Sequence, residues 1–218
     1  MLSSFLTARQ LFRVSSKETR FFAELTKFHE ASRRTRRAWN GLGSALSRLE
    51  RHQPALDAFR QAADLAQAKD ARAMYLRNCA SACLNLGWLD QVEAFLAQAA
   101  ALDADHPYLH LRHAHLHLAR EEPDAAIARC RRALERDQHL TEVHFTLGLA
   151  LLCVGQEETA EEAYNSGLEL AGEWGELEDA CRALEKQMGA RGDLAGAEEI
   201  LSRLRAAQDE LVAQWPAP

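Results

Sequence analysis

One segment of this chain recurs at an interval of about 34 residues, and this repetition restricts the possible folds more than any other feature. The first clear copy contains Trp39, Leu42, Gly43, Leu46, Ala55, Phe59 and Ala62. At the same offsets the second clear copy contains His144, Leu147, Gly148, Leu151, Ala160, Tyr164 and Gly167. A unit of this length cannot bury its apolar face alone, so it stacks on its neighbours and forms a solenoid.

The spacing of a tryptophan, a leucine-glycine pair, an alanine and an aromatic residue resembles the tetratricopeptide repeat (TPR), a helix–turn–helix unit. The resemblance implies an all-α, right-handed α-solenoid of about five to six units. Five units are predicted at residues 36–69, 73–106, 107–140, 141–174 and 178–211. Residues 1–35 are predicted to form a degenerate N-terminal capping repeat or helix pair, and residues 212–218 a C-terminal tail.

Small residues recur at the eighth position of the predicted units, where a helix pair needs a close approach. Gly43, Ala80, Ala114 and Gly148 occupy this position in four successive units. We expect the second helix of each unit to pack closely against it. Breakers such as Gly87 mark the turns, and no alternating β-type run interrupts the pattern.

In proteins of the TPR type, a partner usually binds the concave face, which is lined by the first helix of each unit. The resemblance therefore predicts a partner-binding groove lined by Arg37, Asn40, Arg77, Asn78, Tyr108, Leu111, Arg112, His115, Phe145, Leu149 and Leu152. Only Asn78 and Arg112 match the carboxylate clamp of chaperone-binding members. A clamp for a C-terminal carboxylate is therefore not predicted.

The predicted groove changes from polar and cationic to apolar along its length. Leu111, Phe145, Leu149 and Leu152 are not required by the packing within a unit, so we expect them to form a solvent-facing apolar strip. Such a groove fits a protein or peptide partner with apolar anchors and an acidic flank. The alternative is that the superhelix closes over these residues or that a terminal helix fills the groove.

Charge is distributed unevenly along the chain. Residues 1–72 carry 14 Lys and Arg against 7 Asp and Glu, whereas residues 141–218 carry 5 against 16. The densest basic cluster, Arg33, Arg34, Arg36 and Arg37, is predicted to be a contact patch for an acidic partner. No nucleic-acid partner is expected, because the formal net charge is −6 and the cluster lacks interleaved aromatic residues.

Five histidines lie between positions 106 and 117. His113 and His117 have the i, i+4 spacing that can chelate a transition metal, but they occupy positions that the repeat devotes to its core. We therefore predict packing histidines rather than a metal site, and no cofactor. His115 is predicted to face the groove instead.

The sequence contains no Walker A loop, dinucleotide-binding glycine motif, zinc-protease motif or nucleophile elbow. We therefore expect no enzyme activity but a non-enzymatic adaptor or scaffold. Two alternatives stay open: a head-to-tail self-assembling module, which would be a homo-oligomer, and a metal- or small-ligand-responsive regulator that uses the histidine-rich helix. Mass that rises with concentration, or stability that depends on a metal, would support these alternatives respectively.

No apolar run approaches the length of about 20 residues that spans a bilayer, and no secretory signal is evident. The five cysteines show neither disulfide nor zinc spacing, which indicates a reducing compartment. A cytoplasmic location is therefore expected. The alternative is mitochondrial, because the first 17 residues lack acidic side chains and contain arginine and serine.

Overall fold

The computed structural model describes residues 33–192 and 194–213, and these residues form helices joined by short turns. In chain order the helices are α1 (33–48), α2 (His52–Asp64), α3 (Lys69–Asn85), α4 (Leu89–Ala100), α5 (Pro107–Ala119), α6 (Pro123–Leu134), α7 (Thr141–Cys153), α8 (Glu157–Leu170), α9 (Trp174–Arg191) and α10 (Ala197–Ala213). The expected all-α class is confirmed for the described residues.

The helices lie in two layers. From α2 to α8, and again from α9 to α10, successive helices pack on one another, and each odd-numbered helix from α3 to α7 also contacts the next odd-numbered one. On the other side, α8 contacts α10. This arrangement is that of a solenoid of helix pairs, with the first helices in one layer and the second helices in the other, as predicted.

The predicted unit boundaries correspond to helix pairs only approximately. Because α1, α3 and α9 begin before residues 36, 73 and 178, the boundaries remain proposals. Nearly all of the proposed capping repeat at 1–35, and most of the tail at 212–218, lies outside the described residues.

Close helix contacts at glycine organise the core. A Cβ atom on Gly43 would lie 2.6 Å from the Phe59 ring, and one on Gly148 would lie 2.5 Å from the Tyr164 ring. Each glycine is on the first helix of a pair and each ring is on the second, and both rings are buried. The eighth-position glycine is therefore required by the aromatic residue that packs on it.

The turns within four helix pairs share one backbone conformation. Gly87 and Gly155 have φ values of 73° and 75° between the helices of their pairs. In the two other pairs the equivalent residues are Glu50, with φ 57°, and Glu121, with φ 60°. A side chain in this left-handed region costs about 1–2 kcal/mol, which glycine avoids.

Replacing Glu121 by glycine is therefore expected to stabilise the protein by up to about 1 kcal/mol, once the greater flexibility of glycine in the unfolded chain is subtracted. Chemical denaturation would measure the difference in the free energy of unfolding. Gly155→Ala at the equivalent turn should have the opposite sign. A destabilised Glu121→Gly variant would contradict this account of the turn.

Candidate functional site

Polar side chains connect the first helices to one another along one face of the solenoid. Asn78 on α3 donates from Nδ2 to Oδ1 of Asn40 on α1 at 2.9 Å. Farther along, Arg112 on α5 donates to Glu142 on α7 at 2.7 Å. We call the set that makes these contacts the polar seam, and its members are Asn40, Arg77, Asn78, His106, Arg112, His115, Glu142 and Thr146.

At the α5–α7 end of the polar seam, an ion pair is combined with a neutral histidine. His115 Nε2 lies 3.1 Å from Oγ1 of Thr146, and its Nδ1 lies 3.2 Å from Nη1 of Arg112. Burial and then Arg112 lower the pKa of His115 to about 4. Burial alone would raise the pKa of Glu142, but Arg112 and His115 more than offset this and hold it below its ordinary value. The cluster therefore carries one positive and one negative charge at neutral pH.

At the α3–α5 junction the polar seam contains a buried cation. Arg77 is only 7% exposed, and its Nη2 lies 3.4 Å from Nε2 of His106. His106 caps α5, because its side chain accepts a hydrogen bond from the Tyr108 backbone N–H. The Tyr108 ring itself is exposed at the start of α5. The predicted groove residues Arg77, Asn78, Tyr108, Arg112 and His115 thus lie on two adjacent first helices.

The expected solvent-facing apolar strip is wrong. Leu111, Phe145, Leu149 and Leu152 are all at most 5% exposed and belong to a hydrophobic core cluster. The Phe145 ring turns toward the second helix, where it packs against Gly167 and lies 5.9 Å from the Tyr164 ring. These residues stabilise the packing between helices, so they cannot be open anchors for a partner.

The sequence contained a signal for this burial. Almost every residue of α7 from Val143 to Leu152 is apolar or small, and a helix that is apolar all round is buried on all sides. The repeat pattern of a single unit does not predict this burial, because the pattern specifies only the packing within that unit and not the packing between units.

The predicted basic patch is only partly exposed. Arg33, Arg34 and Arg37 are exposed, but Arg36 is 8% exposed and its Nε has no hydrogen-bond partner within the described residues. The expectation that Arg36 belongs to an exposed contact patch is therefore wrong, because its side chain is buried. A cleft between α1 and α3 is lined by Arg33, Arg36, Arg37, Asn40, Gly41, Ala71, Met74 and Tyr75.

The histidines of α5 have separate partners. His110 Nε2 lies 3.1 Å from Asp105, and His117 Nδ1 lies 2.7 Å from Glu122. Burial, followed by the charge of Arg129, lowers the pKa of His113 to about 4. Within 33–192 and 194–213, no three His, Cys, Asp or Glu side chains are grouped so that they could hold a metal ion.

Sequence reasoning missed His106 as a member of the polar seam. His106 is the last residue before α5, where a capping side chain is expected. Glu142 and Thr146 occupy the second and sixth positions of their unit, and these positions face the neighbouring first helix. Cys79, Cys83, Cys130 and Cys181 are buried and free.

None of the described helices combines the length and the apolar character needed to cross a bilayer.

Comparison with known proteins identifies the fold. Residues 37–69 match the family model for the tetratricopeptide repeat. A thermophilic TPR protein of Thermus thermophilus is 19% identical, with a TM-score of 0.57 over 79% of this chain and 98% of that chain. MamA is 16% identical, with a TM-score of 0.50 over 80% of this chain and 98% of that chain.

A third similar structure is the Rap conjugation gene regulator of plasmid pLS20 in complex with the Phr* peptide. It is 16% identical, with a TM-score of 0.60 over 83% of this chain and 64% of that chain. No curated protein matches the sequence at a significant level. The predicted resemblance is confirmed: residues 37–69 match the tetratricopeptide-repeat family model, and the described helices have the fold of a tetratricopeptide-repeat solenoid.

Proposed function

We propose that the chain is a non-enzymatic adaptor that binds a peptide, or an extended segment of a partner protein, along the polar seam. The observation that carries this proposal is the run of polar contacts that crosses four first helices, from Asn40 on α1 to Thr146 on α7. Polar groups in such a row can hydrogen-bond a peptide backbone at successive positions. The Rap structure, which has the same fold, contains a peptide.

The electrostatics of the seam support a ligand that is acidic toward the α1 end. Arg33 and Arg37 are exposed beside the cleft between α1 and α3. Within the described residues, neither side chain forms an ion pair with a carboxylate. Exposed cations of this kind favour association with an acidic segment.

The apolar contacts to the ligand must come from side chains outside the predicted strip, because the strip is buried. Met74 and Tyr108 are exposed by 38% and 39%, and they lie on α3 and α5 close to the polar seam. We propose that these two side chains supply the apolar contacts to the ligand, while the hydrogen-bonding groups of the seam fix its direction.

Selection from a random peptide library on the purified protein tests this proposal. We expect the selected peptides to lose at least about 10-fold in affinity for an Arg37→Glu/Tyr108→Glu variant, since both changes place negative charge beside the polar seam. The matched control is Arg131→Glu/Val212→Glu, which adds the same charge at exposed positions on α6 and α10. A site on the first helices would be contradicted if both variants lost the same affinity for the selected peptides, or if neither variant lost any affinity.

A second candidate is head-to-tail self-association. A cleft on the last helix pair favours it, because Met188 and Leu201 there lie beside the charged residues Glu198, Arg205 and Asp209. The basic N-terminal region of a second copy would complement the acidic C-terminal part. Light scattering decides between the two: a mass that rises with concentration and falls in high salt supports assembly, and a constant monomer mass opposes it.

A further inference from the structure

The guanidinium of Arg77 is buried without a counterion among the described residues. The side chain is 7% exposed, and Nη1 has no hydrogen-bond partner in the described part of the chain. Burial lowers the pKa of Arg77, and the neighbouring Arg112 lowers it further, while Asp103 and Tyr108 act in the opposite direction. An unpaired buried charge is costly, so the presence of an arginine here calls for an explanation.

The contact between Arg77 and His106 does not supply the missing acceptor. His106 Nδ1 accepts the backbone N–H of Tyr108 at 3.2 Å, so this nitrogen carries no proton. A neutral imidazole then carries its proton on Nε2, which is therefore a donor. Nε2 lies 3.4 Å from Arg77 Nη2, which is also a donor. Two donors thus converge with no acceptor from the described residues between them.

We propose that Arg77 and His106 form an anion site that binds the side-chain carboxylate of an aspartate or glutamate in the ligand peptide. This inference rests on the proposed function and specifies its ligand. The two oxygens of one carboxylate can accept from the Arg77 guanidinium and from His106 Nε2–H together, and hydrogen bonds of this charged kind are stronger than neutral ones. A carboxylate also neutralises the buried charge, which an uncharged ligand cannot do.

The protein's own carboxylates leave this site open. Asp103 is near enough to influence both Arg77 and His106 electrostatically, and Asp70 influences His106. Within the described residues, however, neither of these aspartates forms an ion pair with Arg77. By contrast, Arg112 on α5, the next first helix, is neutralised by Glu142 at 2.7 Å. Arg77 is thus the buried cation of the polar seam whose partner has to come from outside.

The position of the site favours a carboxylate within a segment rather than at its terminus. Asn40 and Arg37 on α1 lie on one side of Arg77, and Arg112 and Tyr108 on α5 lie on the other. A peptide that placed its acidic side chain at Arg77 would therefore continue in both directions along the polar seam. The exposed Arg33 and Arg37 would receive further acidic residues on the α1 side.

The test uses two dodecapeptides with blocked ends, one a repeat of Gly-Ser-Glu and the other of Gly-Ser-Gln. Fluorescence anisotropy should show at least about 10-fold tighter binding of the glutamate peptide. Arg77→Met should lower that affinity by about 10- to 100-fold, to that of the glutamine peptide. Arg131→Met, which removes an exposed charge from α6, should change the affinity by less than about 3-fold.

A stability measurement separates an anion site from a structural arginine. Because methionine removes an unpaired buried charge, Arg77→Met should unfold at the same temperature as the wild type or at a higher one. If this variant does not fold, the proposal is wrong, since the arginine would then be needed for packing. Independently of any variant, the glutamate peptide should raise the melting temperature of the wild type and the glutamine peptide should not.

The outcomes distinguish this inference from the function on which it rests. If both peptides bind equally, or if Arg77→Met keeps its affinity for the glutamate peptide, the anion site is overturned while library-selected peptides can still define the groove. If a glutamine peptide with a free C-terminal carboxylate binds as well as the blocked glutamate peptide, the site binds a terminal carboxylate, and the proposal of a side-chain carboxylate is overturned. Failure of the library selection itself would overturn the proposed function.

Discussion

Replacing Gly148 by alanine is expected to destabilise the protein by about 1–3 kcal/mol, although alanine is the better helix former. The new Cβ atom would lie 2.5 Å from the Tyr164 ring and 3.2 Å from the backbone oxygen of Ala160. Tyr164 is 2% exposed, so its ring has no free space to enter. The first and second helices of the pair, α7 and α8, must therefore move apart.

Urea denaturation of the purified variant measures this change in the free energy of unfolding. Alanine variants at two further glycines, both on α1, serve as comparisons. Gly43 meets the Phe59 ring, so Gly43→Ala should also be destabilising. A Cβ on Gly41, two residues earlier, meets no atom of the described residues within 4 Å, so Gly41→Ala should be neutral or stabilising by up to about 1 kcal/mol. If the three variants had the same sign, close helix approach would not be the reason for the glycines.

Lowering the pH from 6.5 toward 4.5 is expected to destabilise the protein through His113 and His115. Both histidines have a pKa of about 4, and burial is the largest cause of this lowering. The second cause is the charge of Arg129 for His113 and the charge of Arg112 for His115. Histidines in the unfolded chain ionise near pH 6.5, so in this interval the unfolded chain binds more protons than the folded one. Stability is therefore full above pH 6.5 and is lost as the pH falls.

The expected loss across this interval is about 2–4 kcal/mol for the two histidines together, after allowance for their partial exposure. The nearby groups are His110, His117 and Glu93 around His113, and Glu142 beside His115. Thermal unfolding at a series of pH values should show a shallower slope for His113→Gln/His115→Gln. His139→Gln, at an exposed position, is the control. Parallel slopes for all three proteins would contradict this explanation.

The sequence was sufficient for the fold because each repeat carries its own packing pattern. The glycine at the eighth position and the aromatic residue sixteen positions later predict a close helix pair, and Gly43 with Phe59 and Gly148 with Tyr164 are such pairs. This part of the prediction needs no knowledge of the neighbouring units.

The site was predicted less well, because it depends on contacts between units. Phe145 occupies a position that faces the groove in an average repeat, but Gly167 gives its ring a space on α8. Arg36 belongs to a run of basic residues and is nevertheless buried. Arg77 and His106 are left with unpaired donors because the Tyr108 N–H binds Nδ1 of His106 rather than Nε2. The spacing of residues in the sequence does not show which of the two nitrogens accepts this hydrogen bond.

Hydrogen–deuterium exchange with and without a library-selected peptide tests the central claim most directly, because it locates the ligand on one layer of helices. A peptide bound along the polar seam should slow exchange in α1, α3 and α5, with Tyr108 and its neighbours at the start of α5 among the protected residues. Protection confined to the second helices α2, α4 and α6 would contradict a binding site on the polar seam.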